Sequence, residues 1–101
     1  MENLNFGDAL KALKEGKKVA RQGWNGKGMY LFMRYGEKVI YHYFPEMMNS
    51  YMKHVVELGE KNEGMVEYLP TICMKTADNK ILNGWLASQT DMLSEDWVIV
   101  E

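Results

Sequence analysis

The sequence predicts an α+β fold: a small single domain with a mainly antiparallel sheet, an N-terminal helix, a middle helix and a short C-terminal helix. Apolar residues recur at helical spacing near the N-terminus and again in the middle of the chain. Elsewhere, short apolar runs alternate with turn residues, and no β-α-β unit repeats. At 101 residues the chain is expected to form one ligand-binding domain, residues 1–101, with a helical insertion at 44–65.

The first helix is predicted from an apolar stripe that runs from Phe6 to Leu13 at positions i, i+3, i+4 and i+7. Asn5 is suited to cap its start. Gly16 is suited to end it, because glycine readily adopts the left-handed backbone found after helices.

The next segment predicts strands around a tight turn. Residues 19–21 form a short strand that leads into the turn 23–26, whose Asn-Gly pair tolerates positive φ and displays the tryptophan before it. Residues 29–35 are almost continuously apolar, as in a strand covered on both faces. Gly36 and Glu37 permit a hairpin into a strand at 39–43, so this hairpin is expected at the centre of the sheet.

The middle of the chain predicts a second helix. Pro45 suits a first helical position, and apolar residues recur at helical spacing until Gly59. A polar, exposed loop is expected at 60–64. Strands at 72–75 and 80–82 then flank a turn that contains Asp and Asn.

The stretch 85–93 places four hydrogen-bonding side chains in a row between apolar residues. A buried segment would have to satisfy each of them, at a cost of about 1–3 kcal/mol for every group left without a partner. Ser88, followed three residues later by Asp91, resembles a capping box for a short helix. Residues 97–100 then close the chain as a strand.

The composition restricts the classes of partner. With 12 basic and 14 acidic residues, the chain lacks the excess of positive charge that non-specific nucleic-acid binding requires. One cysteine, Cys73, excludes an internal disulfide and fits a reducing compartment. Neither a signal peptide nor a run of about 20 apolar residues is present. A cytoplasmic protein that binds neither nucleic acid nor membrane is expected.

The sequence shows no catalytic motif: it has no P-loop, no nucleophile elbow and no dinucleotide fingerprint. The two histidines are interpreted as a sheet residue (His42) and a residue on the solvent face of the second helix (His54). Cys73 lies between apolar neighbours, as a small structural residue does. The adjacent Glu95 and Asp96 are interpreted as a solvated helix end. We therefore expect no catalytic residue, no metal site and no cofactor.

What remains is a set of residues suited to binding without chemistry. Trp24 and Trp85 are flat apolar plates, and stacking a base on such a ring contributes about 1–3 kcal/mol. Arg21 and Lys27 flank the first tryptophan and are suited to pair with phosphate, as are the backbone amides near Gly26. The polar run from 88 to 91 is suited to hydrogen-bond sugar hydroxyls or base edges.

Each of these residues also has a purely structural interpretation. Trp85 is as readily a core residue as a ligand contact, and Trp97, in the last strand, is expected in the core. Ser88 and Asp91 are sufficiently explained as helix caps, and Arg21 as a charge at a strand edge. Gln89 and Thr90 have no such explanation.

Two blocks of the chain carry a resemblance to a known family. The first comprises residues 6–10 (Phe-Gly-Asp-Ala-Leu) and 14–29 (Lys-Glu-Gly-Lys-Lys-Val-Ala-Arg-Gln-Gly-Trp-Asn-Gly-Lys-Gly-Met). The second comprises 74–78 (Met-Lys-Thr-Ala-Asp), 85–91 (Trp-Leu-Ala-Ser-Gln-Thr-Asp) and the pair Asp-Trp at 96–97. In this order they resemble the Thoeris anti-defense 2 family of phage and prophage proteins.

The resemblance implies a molecular sponge that acts in the host bacterial cytoplasm. Such a protein sequesters, without cleaving it, a cyclic ADP-ribose-type messenger (glycocyclic ADP-ribose) made by bacterial TIR proteins, so that the defence effector is not activated. The resemblance further implies a homo-oligomer, a tetramer in known members, with ligand pockets between subunits. The resemblance also implies that some relatives bind cyclic oligonucleotide messengers, at a separate surface.

Matched residue by residue, the family motif implies the following ligand-binding set: Arg21, Trp24, Asn25, Gly26, Lys27, Trp85, Ser88, Gln89, Thr90 and Asp91. Three alternatives stay open at this point. They are a sponge for cyclic oligonucleotides, a small phosphodiesterase, and a phage structural or host-protein-binding factor.

Overall fold

The computed structural model describes residues 3–24, 27–40 and 50–101. The chain divides into two compact units, one of Met1–Arg34 with Thr71–Glu101 and one of Tyr35–Pro70. The predicted α+β class is confirmed. In chain order, the described elements are α1 (Phe6–Lys14), β1 (Lys18–Arg21), β2 (Tyr30–Arg34), β3 (Glu37–Ile40), α2 (Ser50–Lys61), β4 (Met65–Tyr68), β5 (Thr71–Lys75), β6 (Ile81–Asn83), α3 (Gln89–Leu93) and β7 (Trp97–Val100).

The first unit is built on a sheet whose five described strands lie in the order β6-β5-β2-β1-β7. Every neighbouring pair is antiparallel. β2 is the central strand, as its apolar sequence predicts, because a strand covered on both faces has no need of polar alternation. The strands at the C-terminal hairpin and at the chain end are confirmed as β5, β6 and β7.

Helix α1 covers one face of this sheet. Its start is capped by Asn5, whose side chain accepts from the backbone N–H of Asp8 at 2.8 Å, and it ends before Gly16 at φ 89°. Both predictions are confirmed. The helix and the sheet share a fully buried core of small and apolar side chains, which are Ala9, Ala12, Leu13, Val19, Leu31 and Trp97.

The pairing of β1 with β7 determines which distant segments meet. The register places Arg21 opposite Trp97 and Val19 opposite Ile99. Since α3 directly precedes β7 in the chain, the end of β1 and the helix α3 come to the same corner of the sheet. The two sequence blocks that carry the family resemblance are therefore neighbours within one chain.

The second unit contains α2 and the antiparallel pair of β3 with β4, in which Glu37 lies opposite Tyr68 and Ile40 opposite Met65. The predicted hairpin between the strands that became β2 and β3 is wrong. A strand has two hydrogen-bonding edges, and those of β2 are occupied by β1 and β5, so β3 pairs with β4 instead.

The middle helix is confirmed over Ser50–Lys61, which extends it into the predicted loop at 60–64. Its predicted start at Pro45, and the strand residues predicted up to 43 together with His42, lie outside the described residues. His54 is exposed on α2, as predicted. Across the described ranges, no helix combines the length and the apolar character needed to cross a bilayer.

Candidate functional site

The two predicted blocks are joined by an ion-pair network of three side chains, Arg21, Asp91 and Asp96. Arg21 Nη1 donates to Asp91 Oδ1 at 2.9 Å, and Arg21 Nε donates to Asp96 Oδ1 at 2.9 Å. The side chains of Arg21, Asp91 and Asp96 are only 15%, 13% and 29% exposed. The network therefore fastens the end of β1 to α3 and to the residue before β7.

Asp96 extends this network to the loop that carries Trp24. Its second oxygen, Oδ2, accepts from the Gly23 backbone N–H at 2.8 Å, and its carbonyl accepts from the Gln22 backbone N–H at 3.0 Å. The interpretation of Glu95 and Asp96 as a solvated helix end holds for Glu95, which is exposed, but is wrong for Asp96. The chain turns after Arg21 because Asp96 satisfies the two backbone donors that follow.

Asp91 contacts both the start of α3 and the residues of the first block. Its Oδ2 accepts from the backbone N–H and the hydroxyl of Ser88, at 3.0 and 2.8 Å, and Ser88 Oγ accepts from the Asp91 backbone N–H at 3.0 Å. The predicted capping box is thereby confirmed. The other oxygen, Oδ1, accepts from Arg21 and, at 3.4 Å, from the indole N–H of Trp24. One carboxylate thus caps α3 and holds both anchors of the first block.

The charges of the network stabilise one another. Hydrogen bonds from Arg21 and from the Gly23 backbone, opposed by partial burial, lower the pKa of Asp96 below its ordinary value. Burial by itself would raise the pKa of Asp91, but the donors from Ser88, Arg21 and Trp24 outweigh it and lower that pKa. The pKa of Arg21 is raised by its bonds to Asp96 and Asp91. All three groups are therefore ionised at neutral pH.

Three tryptophans form a cluster beside this network, and we call Trp24, Trp85 and Trp97 the tryptophan cluster. The ring centroids of Trp24 and Trp85 lie 6.2 Å apart, those of Trp24 and Trp97 5.5 Å, and those of Trp85 and Trp97 6.1 Å, all in edge-on contact. Trp97 is fully buried, as predicted, and its indole N–H donates to the Asp91 carbonyl at 3.0 Å. Edge-on aromatic pairs contribute about 0.5–1.5 kcal/mol each beyond their burial.

Trp24 and Trp85 are neither fully buried nor fully exposed. Both are half-buried and pack against the core around Trp97, so each fixes part of its ring in the fold and presents the rest to solvent. The backbone N–H of Trp85 donates to the Ile72 carbonyl at 2.8 Å, which anchors it to the sheet. The core interpretation of these rings is therefore only partly right, and their contact with a ligand stays a prediction.

The other predicted ligand contacts differ in exposure. Ser88, Gln89 and Thr90 form the exposed first turn of α3, and Lys27 is exposed beyond the tryptophan turn. Asn25 and Gly26 lie outside the described residues. The structure therefore brings together Arg21, Trp24, Trp85 and Asp91 by direct contacts, with the polar start of α3 on the adjoining surface.

Arg21 has no need of a phosphate to balance its charge. Two carboxylates face one guanidinium, so the ion-pair network carries one more negative than positive charge. A phosphate brought to this guanidinium would also approach both carboxylates, which opposes binding. The geometry favours Arg21 as a residue that positions Trp24 and α3, and it leaves Lys27 as the other cation of the predicted ligand-binding set.

Sequence reasoning missed two contributors to this corner, the acceptor role of Asp96 and the contact of Trp97 with both other tryptophans. Neither signal is local. Both depend on the β1 and β7 register, which places Trp97 opposite Arg21. A known pairing of these two strands would have placed Asp96 near Arg21, because it directly precedes Trp97, the first residue of β7.

Other features offer no competing site at these residues. Two shallow cavities of about 480 and 310 Å³ lie in the Tyr35–Pro70 unit, and none of the predicted site residues lines them. Over the described ranges, no three His, Cys, Asp or Glu side chains gather in a way that would hold a metal ion. Cys73 is buried, and its thiol lies 3.2 Å from the Asn83 side-chain oxygen.

Comparison with known proteins gives two findings. Residues 4–100 match the model of the Thoeris anti-defense 2-like domain. The chain is also 41% identical over 100 residues to a Bacillus phage SP01 protein named Thoeris anti-defense 2, an alignment that covers 96% of this chain and 94% of the phage protein. Both matches include the end of β1, the following segment that carries Trp24, and α3.

Proposed function

This chain belongs to the Thoeris anti-defense 2-like family, and we propose that it is an anti-defense sponge that captures a cyclic ADP-ribose-type messenger made by bacterial TIR proteins. The messenger is held intact, so the defence effector that it would activate stays silent. On this proposal the protein acts in the cytoplasm of the host bacterium, where the messenger is made. The family membership supports the anti-defense role, and the corner formed by the tryptophan cluster supports the class of ligand.

The observation that carries the proposal is the position of two half-buried tryptophans beside an exposed polar helix start. Trp24 and Trp85 are held edge-on at 6.2 Å, and each keeps part of its ring accessible. A purine stacked on such a ring gains about 1–3 kcal/mol. Ser88, Gln89 and Thr90 lie on the adjoining surface with hydroxyl and amide groups, which match the hydroxyls of ribose.

The same geometry supports binding without cleavage. Asp91 and Asp96 are the carboxylates of the site, and both have a lowered pKa because they accept several hydrogen bonds. A general base for hydrolysis needs a pKa near the working pH and an accessible lone pair. Carboxylates that are engaged with Arg21, Ser88 and Gly23 meet neither condition, so we assign them a positioning role.

We further propose that the ligand sits between subunits of a homotetramer. Leu86 is 92% exposed and Leu93 80%, and both belong to the stretch that carries Trp85 and the polar run. Contiguous exposed apolar patches mark protein contacts, and the proposal takes these two leucines as part of such a surface. A second subunit placed against them would enclose the tryptophan corner. It would also supply cations for the messenger's phosphates, which the negative ion-pair network does not favour.

The test is to incubate the purified protein with the product mixture of a bacterial TIR-domain enzyme and to identify the captured molecule by mass spectrometry. Heating the complex should release the messenger unchanged and able to activate its effector. A degraded product, or loss of messenger beyond one equivalent per site, would instead establish a phosphodiesterase. Capture of a cyclic oligonucleotide in place of the ADP-ribose compound would overturn the ligand assignment.

The residues are tested by Trp24→Ala and Trp85→Ala. Each variant should lose capture of the messenger while keeping its oligomeric state, because each ring is anchored only in part to the core. Tyr51→Ala is the matched control, since this tyrosine is 56% exposed and belongs to the other unit. Unfolding of both tryptophan variants would show that these rings serve the core alone.

A further inference from the structure

The chain leaves the regular pairing of β6 just before Trp85. In the β5 and β6 register, Cys73 lies opposite Asn83. Regular antiparallel pairing advances by one residue on each strand, which would place Gly84 opposite Ile72. The Ile72 carbonyl instead accepts from the Trp85 backbone N–H, at 2.8 Å. Gly84 and Trp85 thus both lie opposite Ile72, and two residues opposite one form a β-bulge.

The backbone of Gly84 has the conformation that one kind of bulge requires. Its φ is +94°, and a glycine in this left-handed region is typical of the first position of a G1 bulge. A Cβ built on Gly84 has no heavy atom within 4 Å apart from those of Gly84 and its chain neighbours. The restriction to glycine therefore comes from the backbone and not from packing, because a residue with a Cβ adopts positive φ only at a cost.

The extra residue determines the face of the sheet on which Trp85 lies. Side chains alternate along a strand, and cross-strand partners share a face. Met74 packs against the core that α1 shares with the sheet, so its partner Leu82 lies on that face and Asn83 on the opposite one. Without a bulge, Trp85 would share the face of Asn83, which it follows by two positions. Its ring centroid instead lies 6.1 Å from that of Trp97, against the core.

The tryptophan cluster depends on this change of face. Trp85 contacts Trp24 as well as Trp97, with ring centroids 6.2 Å apart in the first pair. A Trp85 ring on the opposite face would be separated from both by the sheet. The cluster would then lose two of its three ring contacts.

We propose that Gly84 is a positioning residue for ligand capture, because its left-handed backbone forms the bulge that keeps Trp85 in the tryptophan cluster. Gly84 acts through Trp85 and need not touch the ligand. The effect on capture rests on the proposed function, whereas the placement of the ring does not. A β-branched residue at position 84 favours the extended backbone of a regular strand, and regular pairing moves Trp85 to the opposite face.

The experiment compares Gly84→Val with Gly64→Val in the full chain. Gly64 is the matched control, because it has φ +88°, has equally empty surroundings and belongs to the other unit. Both variants carry a similar backbone cost, so both should lower the urea midpoint of unfolding. Only Gly84→Val should remove the NOEs between the Trp85 and Trp97 rings. Only Gly84→Val should weaken capture of the cyclic ADP-ribose-type product of a bacterial TIR-domain enzyme, by about tenfold or more.

Gly84→Asn is the rescue variant, because asparagine tolerates positive φ better than other residues with a Cβ. It should keep the NOEs between the rings and recover most of the capture that Gly84→Val loses. Recovery in this variant separates the requirement for a left-handed backbone from a requirement for an absent side chain.

Two results would overturn the proposal. One is a Gly84→Val variant that keeps the NOEs between Trp85 and Trp97, since the bulge would then not place the ring. The other is an equal loss of capture in Gly84→Val and Gly64→Val, which would assign the loss to stability alone. The NOEs are measured without ligand, so failure of the unsubstituted chain to capture messenger would contradict the proposed function and leave the test of ring placement in force.

Discussion

The Arg21 guanidinium is held from two sides by carboxylates that belong to different parts of the chain. Asp91 lies in α3, and Asp96 directly precedes β7. Hydrogen bonds to charged groups contribute about 1.5–3 kcal/mol each. Because all three side chains keep some contact with solvent, the lower part of this range applies. This network also reaches the turn after β1, because Asp96 accepts from the Gly23 backbone N–H.

Asp96→Ala should lower the free energy of unfolding by about 1–3 kcal/mol, because it leaves Arg21 Nε and the Gly23 N–H without their acceptor. Urea denaturation measures the change. Glu95→Ala is the control and should change stability by less than about 0.5 kcal/mol, since that neighbour is exposed. Equal effects of the two substitutions would mean that the network contributes no stability.

Stability should also fall in acid. The pKa values of Asp91 and Asp96 are lower in the folded chain than in the unfolded one, so their contribution is fully present above the ordinary aspartate pKa of about 3.9 and is lost as the pH falls through the lower folded values. The free energy of unfolding, measured by urea denaturation at a series of pH values, should decline below about pH 4. The Asp91→Asn, Asp96→Asn double variant should show a shallower decline, and an unchanged slope would contradict this origin.

Residue contacts were predictable from sequence where they are local. Asn5 with Asp8, and Ser88 with Asp91, are three positions apart, so their spacing alone indicates a cap. Arg21 and Asp96 are 75 positions apart, and their meeting depends on strand register. No pattern within either segment indicates that register, which is why Arg21 was expected to remain available for phosphate.

Of the described helices, α3 is the least able to form on its own. It has five residues, none of them buried, and a helix of this length is not stable alone. Its position depends on the Ser88 and Asp91 capping box and on the bond from the Trp97 indole N–H to the Asp91 carbonyl. The exposed polar turn proposed to meet the ligand is therefore fixed by contacts at its start and beneath it.

Ser88→Ala should destabilise the chain by about 0.5–2 kcal/mol through loss of the cap. Thermal unfolding measures the effect, and amide exchange should accelerate within Gln89–Leu93. Ser88→Asn, which retains a capping oxygen, should recover most of the loss. If Ser88→Ala instead abolished capture with no change in stability or exchange, the side chain would act on the ligand and not on the helix.

The pairing of the strands is the part of the fold that the sequence did not predict. Apolar sequence correctly indicated that β2 is central, yet its partners were assigned by proximity in the chain. β2 pairs with β5, which begins 37 positions after β2 ends, and β3 pairs with β4 in the other unit. Turn residues such as Gly36 and Glu37 indicate a change of direction, but they do not determine which strand edge the chain reaches next.

At the scale of the whole molecule, the first unit exposes several large apolar side chains. Leu86 and Leu93 flank the polar start of α3, and Ile81 and Leu82 lie in the edge strand β6 with 67% and 50% exposure. Edge strands with apolar side chains are prone to pair with other chains. The proposed tetramer would cover part of this surface.

Leu86→Asp and Leu93→Asp should each lower the molar mass measured by light scattering after size exclusion, because a charge at either position opposes burial between subunits. The fold should persist, since both side chains are exposed in the single chain. Leu69→Asp is the control, at a leucine of 75% exposure in the other unit. An unchanged mass in the first two variants would exclude this stretch from the interface.

The shared carboxylate of Asp91 also limits how such a protein can diversify. Because one side chain closes a helix, holds Arg21 and receives the Trp24 N–H, a substitution there disturbs three supports at once. Gln89 and Thr90, two positions and one position before it, are exposed, and their side chains carry none of these three contacts. If the proposed ligand changed, substitutions should therefore be tolerated at Gln89 and Thr90, while Asp91 stays fixed because it serves three parts of the fold.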